Sequence, residues 1–156
     1  MSNKISIGKP VPDFTAPATG EKPVRLSELQ GNHVVLYFYP KDNTSGCTAE
    51  SQDFRDHYAK FKKLNSEIFG VSRDSLASHE KFNEKYKFPF ELISDENEKL
   101  CKLFDVIKEK SLYGKKYLGI DRSTFIIDKH GVLRQEFRGV KVTGHVEQVL
   151  DEIKKL

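Results

Sequence analysis

The sequence predicts an α/β fold, with a sheet held between layers of helices, and three observations carry that prediction. The run His33-Val34-Val35-Leu36-Tyr37-Phe38-Tyr39-Pro40 is apolar at nearly every position and stopped by proline. A strand apolar on both faces is one buried between two layers. Strand-like and helical segments alternate on either side of it, and a hairpin pattern and a last amphipathic helix follow. Finally, 156 residues favour one domain over positions 1–156. Surface scaling lets such a chain remove about 18,000 Å² from water on folding, enough for a core without staples.

Each element has its own signal. Gly8-Lys9-Pro10-Val11-Pro12-Asp13-Phe14 is an extended lead-in, because its two prolines forbid a helix. Leu26-Ser27-Glu28-Leu29 reads as a short helical turn ended by Gly31. After the apolar run, Lys41 to Gly46 is a cluster of turn formers feeding an amphipathic helix that begins near Cys47. Phe54, Tyr58 and Phe61 form one apolar stripe on it. Ile68-Phe69-Gly70-Val71-Ser72 is a second strand, Leu76 to Lys87 a helix, and Phe90-Glu91-Leu92-Ile93 a brief strand. Asn97 to Asp105 is a helix with Leu100, Leu103 and Phe104 on one side. Lys108 to Lys116 is polar and irregular, either a border of the functional site or plain loop. Thr124–Asp128 and Val132–Phe137 are strands around the hairpin turn Lys129-His130-Gly131. Val146, Val149, Leu150, Ile153 and Leu156 then fall at helical spacing. No repeat, low-complexity tract or linker divides the chain. Right-handed crossovers put the 34–39 strand at the centre of the sheet. Sites in open α/β sheets lie outside the carboxyl ends of strands, and Cys47 follows that end by one short loop.

Composition excludes several function classes. The 26 basic and 23 acidic side chains give a net charge of +3, with lysines interleaved among acids. Basic blocks with interleaved aromatics are missing, so no nucleic-acid partner is expected. The longest apolar run is far below the roughly 20 residues needed to span a bilayer. Met1-Ser2-Asn3-Lys4 has no apolar stretch of signal-peptide length. No membrane partner and a cytoplasmic location are therefore expected, where thiols stay reduced unless they do redox work. Two cysteines cannot build a disulfide scaffold, and Cys47 and Cys101 lie far apart with no CxxC, so zinc-finger spacing is impossible. His33, His57, His79, His130 and His145 show no paired-ligand spacing and read as surface residues. No metal site is expected, and His57 lies too far along its helix to serve Cys47 as a base.

Cys47 is the residue with chemistry around it. At a helix start its sulfur faces first-turn N–H groups and the positive end of the helix dipole, which favour a thiolate. The loop adds backbone N–H groups and the Thr44 hydroxyl as donors toward a transition state. A lone cysteine is often a small buried hydrophobe, but a polar turn between Gly46 and Thr48 is a poor place for one. Three cysteine chemistries then compete. A cysteine protease needs a paired base and a signature that is missing. A disulfide exchanger needs CxxC, yet Glu50 stands three residues on. A peroxide reductase needs one activated thiolate and donors for a small oxyanion, and it survives.

The residues themselves now resemble a family. Pro40-Lys41-Asp42-Asn43-Thr44-Ser45-Gly46-Cys47 matches the PxxxTxxC motif of peroxiredoxins. Tyr37-Phe38-Tyr39-Pro40-Lys41-Asp42 and Cys47-Thr48-Ala49-Glu50, with Asp53-Phe54-Arg55-Asp56 after it, look like the bacterioferritin comigratory protein/PrxQ branch. Leu118 to Asp128 resembles that branch's arginine-bearing strand, and Gly8 to Phe14 its lead-in; the likeness runs from about residue 5 to about 152. The resemblance implies a thioredoxin-like fold with a central mixed sheet flanked by helices. It implies reduction of hydrogen peroxide and organic hydroperoxides with no metal or organic cofactor. Carried over by position, Cys47 is the peroxidatic thiolate that becomes a sulfenic acid. Arg122 holds the thiolate and the peroxide oxygens, Thr44 hydrogen-bonds the peroxide, and Pro40 shields the sulfenate. Gly46 supports the site, and Glu50 either orients Arg122 or complements the helix N-terminus.

The chain departs from the family pattern in two places. Ser45 stands where proline is common, which loosens the loop without removing a donor. Resolving cysteines known in relatives fall at positions that here are Gln52 and Asn83. Cys101, beside Leu100 and Phe104, sits where a half-buried packing cysteine would sit. The expected cycle is therefore one-cysteine, with an external thiol of thioredoxin, glutaredoxin or glutathione attacking the sulfenate, in a monomer or weak dimer. Two alternatives stay open: a Cys47–Cys101 disulfide formed after local unfolding, and a thioredoxin-fold binding or holdase module that keeps the motif without turnover.

Overall fold

In the computed structural model, which describes residues 5–156, the lead-in turns at Ile7–Gly8 and runs without helix to Phe14, and Pro10 bridges Val132. Met1–Lys4, where a signal peptide was not expected, lie outside the described residues. Two short antiparallel strands, β1 (Thr15–Ala16) and β2 (Val24–Arg25), precede a single 3₁₀ turn over Leu26–Leu29. Then come β3 (His33–Phe38), α1 (Ser45–Asp56), α2 (Tyr58–Lys63), β4 (Ser66–Ser72), α3 (Leu76–Tyr86) and β5 (Glu91–Ser94). The chain continues through α4 (Lys99–Leu103), β6 (Ile107–Leu112), β7 (Lys115–Ile120), β8 (Ser123–Ile127), β9 (Leu133–Phe137) and α5 (His145–Lys154).

The apolar run does take the centre. The five-stranded sheet has the order β5-β4-β3-β8-β9, with β3 parallel to β4 and antiparallel to β8. β4–β5 is parallel and β8–β9 antiparallel, so the sheet is mixed. Because neighbouring side chains point to opposite faces, β3 feeds two cores at once. Val34, Leu36 and Phe38, with Phe125 and Ile127, pack under Leu100, Cys101 and Phe104. Val35, Tyr37 and Tyr39, with Ile126, pack under Cys47, Phe54, Phe61, Phe82 and the apolar stripe of α5. Among the described residues, no helix is long and apolar enough to cross a membrane.

Two expectations need correction. The helix after Cys47 breaks at His57, whose ring nitrogen Nδ1 lies 2.8 Å from the Asp53 carbonyl oxygen, so α1 and α2 share the Phe54/Phe61 stripe. The segment read as polar and irregular, a site border or plain loop, 108–116, is the greater part of a two-stranded hairpin, β6–β7. Tyr113 and Gly114 turn it, both in the left-handed region at φ 52° and 78°, as a two-residue primed turn requires. Its strands carry no period-2 apolar alternation, since only their base, Ile107 and Ile120, meets the core, and that alternation is the signal sequence reading depends on.

Candidate active site

The loop after β3 positions the first half of the site. Tyr39 N–H donates to the Val71 carbonyl, extending the pairing, and Pro40 stands half-buried where the chain leaves the sheet. Asn43 takes the left-handed turn at φ 61°, which asparagine tolerates better than most residues. Thr44 is extended and flanks the first residue of α1, Ser45. Its side chain makes no capping bond. The hydroxyl donates instead to the Lys41 carbonyl at 2.8 Å, so what remains on that oxygen is acceptor capacity. The first helical bond is Thr48 N–H to Thr44 O, which leaves the preceding N–H groups at the positive end of the helix. Cys47 is the third residue of this 12-residue helix and only 1% exposed.

The second half comes from the break between β7 and β8. Arg122 lies there, just before a strand rather than on one, and its carbonyl accepts from Val140 N–H at 2.9 Å. Its Nη2 donates to Cys47 Sγ at 3.4 Å and its Nη1 to Glu50 Oε1 at 2.6 Å. Glu50 sits one turn beyond Cys47, so both point from the same side of α1 toward the guanidinium. Burial pushes the Glu50 carboxyl up to about 7 against the pull of Arg122, and its Oε2 is buried without a hydrogen-bond partner. Gly46 matters by what it lacks: a Cβ there would stand 3.2 Å from Arg122 Nη2. The structure thus brings together Cys47, Arg122, Glu50 and Gly46, with Thr44 at the helix start.

Cys101 is not brought to them. It lies in the core on the other face of the sheet, fully rather than half buried, and both cysteines are free thiols. Its backbone N–H donates to Asp95 Oδ2, and burial together with that carboxylate pushes the thiol well above the ordinary range.

Two histidines expected at the surface are buried, His79 and His145. His145, the first residue of α5, has Nε2 2.7 Å from Thr124 Oγ1, and burial lowers it to about 4. His79 lies on the face of α3 that also buries Phe82, three residues on, a spacing visible in the sequence. Its Nδ1 is 2.7 Å from Asp42 Oδ2 and its Nε2 2.8 Å from the Ile93 carbonyl oxygen. Asp42, Asp74 and His79 hold ligand-type atoms within 4.8 Å of one another. Those of Asp42 and Asp74 already accept from the Tyr39, Ser78 and Ser72 hydroxyls.

Comparison with known proteins adds independent findings. The AhpC/TSA family model matches residues 7–136. Peroxiredoxin Bcp of Bacillus subtilis (strain 168) is 48% identical over 152 residues, covering 97% of each chain. The structure of a cysteine-to-serine mutant of Xylella fastidiosa PrxQ has a TM-score of 0.92 at 41% identity, covering 97% of this chain and 96% of that one. A structure bearing on the alkyl peroxide reduction activity of Xanthomonas campestris bacterioferritin comigratory protein has a TM-score of 0.87 at 46% identity, covering 91% and 90%.

Proposed function

Since the chain belongs to the AhpC/TSA family, in its Bcp/PrxQ branch of peroxiredoxins, we propose that it reduces hydroperoxides through Cys47 and is turned over by an external thiol. The observation that carries the reading is one guanidinium between two groups: Arg122 reaches Cys47 Sγ at 3.4 Å and the buried Glu50 at 2.6 Å. An always-charged donor fixed in that way favours a thiolate at the sulfur and a developing oxyanion beside it.

The thiolate attacks the terminal peroxide oxygen. An S–O bond forms, the O–O bond breaks, and the electron pair leaves with the distal oxygen, which takes a proton and departs as water or an alcohol. Sulfur is oxidised to sulfenic acid. Thr44, its hydrogen committed to Lys41, accepts the peroxide O–H, while Arg122 donates to the peroxide oxygens. Pro40 walls the sulfenate from water. A reducing thiol then attacks sulfur, releasing water as a mixed disulfide forms, and a second thiol restores Cys47.

Glutathione, glutaredoxin or thioredoxin has the chemistry for that step, in a cytoplasmic setting where such thiols are kept reduced. Placement of the thiols on opposite faces of the sheet favours this one-cysteine cycle over an internal bridge, which needs Cα atoms within about 7 Å. Intact mass after one equivalent of hydrogen peroxide tests both points. A gain of one oxygen is expected; a loss of two protons would instead establish a Cys47–Cys101 disulfide. Cys47→Ser should abolish peroxide-dependent thiol oxidation, and full activity in that variant would sink the proposal.

A further inference from the structure

His79 has no part in the chemistry above, yet it is a fully buried imidazole tied to the loop that carries the chemistry. A carbonyl oxygen only accepts, so His79 Nε2 bears a hydrogen and donates it to Ile93 O at 2.8 Å. The 2.7 Å contact between Nδ1 and Asp42 Oδ2 then holds one more shared proton, and the pair is neutral overall wherever that proton sits. Asp42 is otherwise satisfied by the Tyr39 hydroxyl at 2.6 Å and the Ser78 hydroxyl at 2.8 Å, and its own N–H donates to Asp74 Oδ2 at 2.8 Å. Asp42 lies midway between Pro40 and Thr44. One side chain therefore joins β5, α3 and the loop between β3 and α1.

That loop is the element whose placement the two halves of the cycle need differently. Attack on peroxide needs Cys47 where Arg122 touches it, and there the residue is only 1% exposed. A thiol large enough to be a reductant cannot reach a sulfur so covered, so the second half-reaction needs the loop displaced. We propose that His79 is a positioning residue of the cycle: its contact with Asp42 holds the 40–44 loop, and with it Cys47, in the closed arrangement, and release of that contact admits the reducing thiol. This inference rests on the peroxidase reading.

The test times the two half-reactions separately. Rapid quench and intact mass follow Cys47 oxidation by one equivalent of hydrogen peroxide. Capture of the preformed sulfenate by glutathione is followed in the same way. His79→Phe should slow oxidation about tenfold, as misplacement of a reacting group does, and should speed capture several-fold. Asp42→Asn with His79 in place should leave both half-reactions near wild type, because its carboxamide N–H donates to the Nδ1 of a neutral imidazole. Should His79→Phe fail to fold, Asp42→Ala reads the same split from the loop side. Unchanged half-reactions, or both slowed equally, overturn the inference while leaving the peroxidase reading intact. A wild-type protein whose Cys47 is not oxidised overturns the peroxidase reading, and this inference with it.

Discussion

At the scale of single residues, Glu50 is a carboxyl whose environment opposes its charge. It is fully buried, with one oxygen on Arg122 and the other on nothing. Its carboxyl is raised from 4.5 to about 7, burial being the main cause. A group that binds its proton more tightly folded than unfolded stabilises the fold below its unfolded value and loses that contribution as pH rises through the folded one. Urea stability should therefore fall between about pH 4.5 and pH 7 on account of this residue. Glu50→Gln should flatten that part of the profile; an identical profile in the variant would count against the assignment. The sequence's resemblance to peroxiredoxins picked out Cys47, Thr44, Arg122 and Glu50 as candidates. Which of two roles Glu50 fills was not legible, because that depends on a guanidinium 72 positions away. His79 was missed for the same reason: its partners are Asp42 and a β5 carbonyl, distant in sequence and made neighbours by the sheet.

Among the elements, β4 contributes one position where the absence of a side chain decides the packing. Gly70 pairs with Tyr37, and a Cβ there would stand 2.8 Å from the Tyr37 ring and from Leu92 Cδ2. Tyr37 in turn stacks on Phe54 at 4.6 Å and donates to Ser51 Oγ at 2.8 Å, so this ring sets how α1 lies on the sheet. Gly70→Ala should cost about 1–3 kcal/mol by overpacking, read by urea denaturation, and should slow Cys47 oxidation as α1 shifts. Wild-type values for both would refute that chain of contacts. Elements with a strong period were read correctly, β3 by its unbroken apolarity and α5 by its stripe. The β6–β7 hairpin escaped because its residues are mostly exposed and its turn rests on backbone angles rather than on a common turn dipeptide.

Across the whole molecule, stability is spread unevenly. β3 is flanked by strands on both sides and by core on both faces, whereas β6 and β7 pair only with each other and expose Leu112, Tyr113 and Leu118. Amide hydrogen exchange should be slowest in β3 and β4 and fastest in β6–β7, since local opening is cheapest where contacts are fewest. Equal protection would mean that the hairpin has a covering surface. The sheet also separates the two thiols, and that separation sets the fate of an oxidised molecule. A sulfenate beside a second thiol condenses to a disulfide, one step off the ladder of further oxidation. In the proposed one-cysteine cycle the sheet acts as an insulator, so a sulfenate that meets peroxide before thiol would climb to the sulfinic and sulfonic acids, which simple thiols do not reverse. The lifetime of each molecule is thereby tied to the ratio of thiol to peroxide around it.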